Sequence, residues 1–104
     1  MVDKDTKESL KESIKRYLRI DDDEDDDLII NFIENGESHL DDIAGSPQDY
    51  SVHGLPRSLL YDYVRYAYSQ ALEVFDHNFC SDLLMLHMKQ FDNLEDDGDD
   101  SDAD

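Results

Sequence analysis

The sequence predicts an all-α fold: a small bundle of about four helices followed by a disordered acidic C-terminal tail. Three observations point there. Apolar residues recur at i, i+3, i+4 and i+7 in successive stretches, the spacing of one helix face. No stretch shows the alternation of a half-buried strand. Gly45, Pro47 and Pro56 punctuate the middle of the chain as a loop between helices. One domain is expected for 104 residues, over residues 1–91, with 92–104 as the tail.

The first helix is expected over 6–20, where Leu10, Ile14, Tyr17 and Leu18 make one stripe. Thr6 suits its N-cap, and Lys15, Arg16 and Arg19 complement the negative end of the helix dipole. The second helix, 24–44, buries Leu28, Ile29, Phe32, Ile33, Leu40 and Ile43. Asp22 or Asp23 is placed to cap it, and Gly45 to end it. Gly36 inside this helix costs about 1 kcal/mol of propensity relative to Ala, so a kink or a close helix contact is expected there.

Residues 45–54, GSPQDYSVHG, read as a loop, and Pro56 opens a third helix to about 78. Its stripe of Leu60, Val64, Ala67, Ala71, Val74 and Phe75 is broadened by Leu59, Tyr63, Tyr66 and Tyr68. Such a helix is buried on more than one side, and in a small domain the second side suits a subunit contact. Asp76-His77-Asn78 breaks it. Ser81 then caps a short fourth helix over 81–91, with Leu83, Leu84, Met85, Met88 and Phe91 as apolar positions.

The formal charge of −19 is unevenly placed. Fifteen of the 28 acids lie in residues 21–27 and 92–104, which leaves 13 acids against nine bases elsewhere. The first twenty residues even lean basic, with six Lys/Arg against four acids. Nucleic-acid binding through a broad basic face is disfavoured, because each phosphate contact needs a cation. Cys80 is the only cysteine, so no intrachain disulfide can form and a reducing, intracellular setting is the default. Nothing approaches the ~18 apolar residues of a membrane span, and no signal-peptide core opens the chain.

The run DDDEDDD at 21–27 raises calcium first. Asp23, Asp25 and Asp27 take loop positions one, three and five, Ile30 the eighth and Glu34 the twelfth, but Leu28 stands where the sharp turn demands Gly. A solvated helix start is the better reading. His77 and Cys80 are three apart without a second pair at zinc-like spacing, and His39, His53 and His87 are scattered. No nucleophile elbow, phosphate-cradling Gly loop or HExxH occurs, and carboxylates in open acidic runs lack the differentiated environments of acid–base catalysis. The expectation is a protein that is not an enzyme and needs no metal or cofactor. Tyr61, Tyr63, Tyr66 and Tyr68 around Arg65 could stack bases, but few cations lie near, so core or subunit contact is favoured.

Two segments then carry a family resemblance. KRYLRIDDDEDDDLIINFIENGESHL (15–40) is similar to the opening helix pair of the head-tail connector (adaptor) proteins of tailed bacteriophages, especially siphophages of Gram-positive hosts. YDYVRYAYSQALEVFDHNFCSDLLMLHM (61–88) resembles that family's Tyr/Arg-rich third helix, aromatic break and final Leu-rich helix. Together they span most of residues 10–90.

The resemblance implies a structural virion protein made in the host cytoplasm. Copies would form a ring under the portal protein and extend the channel through which DNA passes without sequence-specific binding. They would also present a surface to the next neck or tail-completion protein, with no membrane involved. Lys15, Arg16, Arg19, Tyr61, Arg65 and Tyr68 are then the expected subunit or portal contacts. The seven acids exceed what capping needs. Asp23, Asp25, Asp26 and Asp27 could form a band repelling DNA in the channel, or a solvated outer face. The rivals are an acidic DNA mimic, which would spread acids over a folded face, and a small inhibitory or regulatory module binding a host protein through its aromatic helix.

Overall fold

The computed structural model describes the backbone of residues 4–98 and the side chains of residues 5–91. Among these the chain is all helical: α1 Lys4–Leu18, α2 Asp26–Ala44, α3 Leu55–Tyr68, a 3₁₀ turn Leu72–Val74, α4 Phe75–Asn78 and α5 Cys80–Gly98. α2 is the central element, with α1, α3 and α5 packed on it.

The expected stripes supply the core. Leu10 and Ile14 of α1 meet Ile29, Ile33 and Leu40 of α2 and Leu59, Leu60 and Val64 of α3, while Leu83 and Leu86 close it from α5. At Gly36 side chains of α3 pack closely on the α2 backbone. A Cβ there would lie 2.7 Å from Leu60 Cδ1 and 2.9 Å from Tyr63 Cδ1, so only glycine fits without movement. Gly45 ends α2 in the left-handed conformation (φ 87°), donating its N–H to the Asp41 carbonyl at 2.9 Å.

Several boundaries differ from expectation. α1 begins at Lys4, which puts Thr6 inside the helix. α3 stops at Tyr68, ten residues early, although no glycine or proline marks the place. Gln70 takes the left-handed conformation (φ 59°), and Gln70 N–H and Ala71 N–H donate to the Ala67 and Tyr66 carbonyls at 3.1 and 2.8 Å. This double bond pattern satisfies the helix's last carbonyls. The end of α1 is built the same way around Arg19 (φ 62°), with Ile20 N–H bonded to the Lys15 carbonyl at 2.9 Å.

The early stop turns the chain so that Phe75 alone of the expected 71–75 stripe is fully buried. Its ring lies against Tyr63, Tyr66 and Phe79 at centroid distances of 5.3, 5.7 and 5.0 Å. Asp76–Asn78 form α4 rather than a break. Ser81, the expected cap, lies inside α5, which continues as helix through 92–98; residues 99–104 of the expected tail lie outside the described residues. The 45–54 loop is tied down by Tyr50, 1 % exposed, whose hydroxyl donates to Asp41 at 2.7 Å.

Candidate assembly surface

The acidic run folds back on α1. Lys15 Nζ lies 2.8 Å from Asp23 and 2.7 Å from Asp26, and Lys11 Nζ lies 3.3 Å from Asp26 while also pairing with Glu8 at 2.9 Å. The hydrogen bond from Lys15, and then that from Lys11, hold the Asp26 carboxyl below the usual carboxylate range. Asp25 accepts a hydrogen bond from the Tyr68 hydroxyl at 2.8 Å, which raises that phenol. Neither expected cap is made. Asp22 accepts the Glu24 N–H at 3.1 Å within the linker, and the N-cap position falls to Asp25, whose side chain makes no capping bond. α1 is near enough that its lysines, rather than orphan helix N–H groups, take these carboxylates.

Of the four residues expected in a channel band, Asp23, Asp25 and Asp26 therefore have partners within the chain. Asp27 is exposed. The calcium grid is dispersed likewise, since Glu34 pairs with Lys7 at 2.7 Å. Among the described residues no group of His, Cys, Asp or Glu is arranged to hold a metal ion. No described helix is long and apolar enough to cross a membrane.

The expected interface residues divide. Lys15 is buried under its two aspartates. Tyr68 is held by Asp25, Tyr61 accepts a hydrogen bond from Arg57 at 2.8 Å, and Arg65 pairs with Asp62 at 3.2 Å while lying over the Tyr66 ring. Arg16 and Arg19 are exposed at the end of α1 and have no carboxylate partner among the described residues. Much of the width of α3 is thus used inside the chain, against α1, α2, α5 and the aromatic cluster around Phe75.

Among the described residues the largest group of exposed apolar side chains belongs to α5. Leu83 and Leu86 enter the core, while Leu84, Met85, Met88 and Phe91 are 58, 53, 54 and 48 % exposed. At about 100° per residue, Leu84, Met88 and Phe91 fall within roughly 60° of one another and about 140° round the helix from the buried pair. α5 therefore has two apolar faces, one inside and one outside. The apolar positions of α5 were legible in the sequence at helical spacing, without Leu86; their division shows only once Leu83 and Leu86 are seen to turn inward. Tyr17 (49 %) and Leu28 (44 %) are also exposed, but they belong to the ends of α1 and α2 near the acidic junction and not to the α5 face.

A groove of about 460 Å³ lies between α1, α2 and the loop, lined by Lys7, Glu34, Glu37, Asp41 and Gln48 among others. Glu37 Oε2 is buried there without a hydrogen-bond partner. Burial, aided by Asp41 and Glu34 against the opposing effect of Lys7, pushes its carboxyl up to about 7.

The last helix of this small bundle thus carries a second apolar face that the chain itself leaves exposed. The chain belongs to the phage gp6-like head-tail connector family, whose model matches residues 8–104. That match runs through the 45–54 loop and the acidic tail, which the two quoted motifs leave out. It makes the chain a structural connector of the phage virion. No curated protein and no solved structure matches it.

Proposed function

We propose that this connector acts as a ring subunit beneath the portal, where it extends the DNA channel, joins the capsid to the tail and offers its free end to the next neck protein. The observation that carries the reading is the outward apolar face of α5. A monomer gains nothing from Leu84, Met88 and Phe91 in water, whereas a subunit buries them against a neighbour at roughly 1.5–3 kcal/mol for each side chain fully covered. The charge pattern agrees with a channel that DNA crosses without being held. The net charge is −19, and Lys7, Lys11, Lys15 and Arg65 are paired with the chain's own carboxylates.

The test is mass determination and electron microscopy of the chain, alone and mixed with the portal of its own phage. Rings, or a portal ring with density added on its tail-facing side, are expected. A chain that neither self-associates nor joins the portal overturns the reading.

A further inference from the structure

Resting on the reading of the outward α5 face as an assembly surface, we propose that Met85 and Met88 form an oxidation-sensitive switch on it. Converting them to sulfoxides withdraws the chain from assembly and leaves its fold intact.

Met85 and Met88 are the only methionines among the described residues, and they are 53 and 54 % exposed. Three positions apart on one helix, they are neighbours on its surface, about 60° from each other round the axis. Met88 belongs to the stripe of Leu84 and Phe91, and Met85 stands beside it. Neither is part of the buried core cluster. The inward face of the same helix is carried by Leu83 and Leu86, which have no sulfur to oxidise. Oxidant chemistry therefore divides as the helix does, with the reactive side chains outside and the inert ones in the core.

The oxidant is a peroxide. The thioether sulfur attacks one peroxide oxygen, and an S–O bond forms as the O–O bond breaks. The other oxygen leaves as water with both protons. Sulfur gives up two electrons and the peroxide takes them. The product is a polar group that accepts hydrogen bonds, and a sulfoxide reductase can reverse the change. On the free chain the new oxygen stays in water. Against an apolar neighbour it would be buried without a donor, which opposes the contact. Leu84 and Phe91 stay apolar throughout, so the face is weakened at its sulfurs alone.

Cys80, exposed at the first position of the same helix, is the competing site for a peroxide. The test therefore uses the full chain carrying Cys80→Ser, with hydrogen peroxide as the probe. Peptide mass mapping reads where oxygen is added, and separates Met85 and Met88 from Met1. Both are expected to oxidise in the free chain, with an unchanged circular dichroism spectrum and unfolding midpoint. Treated and untreated chains are then offered to the portal of their own phage. The treated chain should join it several-fold less, and a sulfoxide reductase should restore joining. A chain with Met85→Leu and Met88→Leu should join equally before and after peroxide. Resistance of both methionines in the free chain, or an oxidised chain that joins like the parent, overturns the switch and leaves the connector reading standing. So does an oxidised chain that unfolds, because the sulfurs would then serve the core, and so does a double-leucine chain that peroxide still stops. An untreated parent that neither self-associates nor joins the portal sinks the connector reading, and the switch with it.

Discussion

α2 is joined to its two long neighbours by different physics. Against α3 the join is apolar and has no slack. Gly36 leaves just room for Leu60 and Tyr63, and Ile29, Ile33, Leu59 and Val64 are buried around them. Against α1 the outer part of the join is ionic, with Lys11 and Lys15 bridging to Asp23 and Asp26 across a linker that holds further acids. The first join tolerates neither added nor lost volume and ignores salt. The second tolerates shape changes and responds to charge and ionic strength.

The largest effect should come from the first join. Leu60→Ala removes a fully buried side chain and is expected to cost about 2–5 kcal/mol in denaturant unfolding, equally in low and high salt. Gly36→Ala sharpens the point. Its added methyl meets Leu60 and Tyr63, an overpacking cost of about 1–3 kcal/mol against the roughly 1 kcal/mol gained in helix propensity. A net loss is expected, where an exposed helical glycine would show a gain. A more stable Gly36→Ala chain would mean that α2 and α3 are not this close.

Lys15→Met should cost less, and the cost should depend on salt. It leaves Asp23 without its lysine and Asp26 with Lys11 alone, while keeping the apolar stem of the side chain. The unfolding midpoint is expected to fall at low ionic strength and to recover most of the difference in 1 M salt, where the Debye length is about 3 Å. A deficit of equal size in both conditions would make Lys15 a packing residue and erase the contrast between the two joins.

These two joins also mark what the sequence made legible. The apolar stripes, the tight spot at Gly36 and the cap at Gly45 follow from periodicity and from glycine's freedom, which are local properties. The end of α3 does not, because a non-glycine residue such as Gln70 enters the left-handed region at a cost of about 1–2 kcal/mol only when surrounding contacts, here the seating of Phe75, repay it. The lysine–aspartate bridges span eight to fifteen residues across a turn, outside any helical spacing rule, so the acids read as caps. On α5 the sequence showed one set of apolar positions, without Leu86; that Leu83 and Leu86 turn inward and the others outward is decided by α2 and α3. Lys15, Arg16 and Arg19 were named alike as contact candidates, and sequence could not separate them: Lys15 is consumed by the fold while the two arginines stay exposed.

Glu37 sits near the other end of the α1–α2 join and offers a pH test of it. Facing it are Lys7 from α1, Glu34 and Asp41 from α2 and Tyr50 from the loop, whose hydroxyl lies 3.4 Å from the Glu37 carbonyl oxygen. Its folded pKa of about 7 lies above its ordinary 4.5, so between those values the folded chain holds the extra proton. Stability from this group is therefore greatest below pH 4.5 and falls as pH rises to 7. Glu37→Gln should match the parent near pH 4.5 and exceed it by about 1 kcal/mol at pH 8, a figure already discounted for partial exposure. Identical pH profiles for parent and variant would mean that the carboxylate finds water or Lys7 in solution.

The smallest effect belongs to the junction acids that have no lysine. Asp21, Glu24 and Asp27 are exposed, and changing them to Asn, Gln and Asn leaves the Lys11–Lys15 bridges and the Asp22 turn untouched. Stability should move by less than about 0.5 kcal/mol, with any change upward as like charges are removed. The same triple variant separates the two sides of the junction in the assembled particle. Lys15 and Lys11 offset Asp23 and Asp26, while Asp25, bound to the neutral Tyr68 hydroxyl, and Asp22 keep their charge, so these outer acids carry about half of what is left at the junction. Virions built with the variant are expected to package and eject DNA as the parent does, with only a less soluble free chain. Poor packaging or ejection by particles of normal composition would instead put this end of α2 on the channel wall. It would also give Asp27, of the four acids first singled out, the role of repelling the DNA backbone.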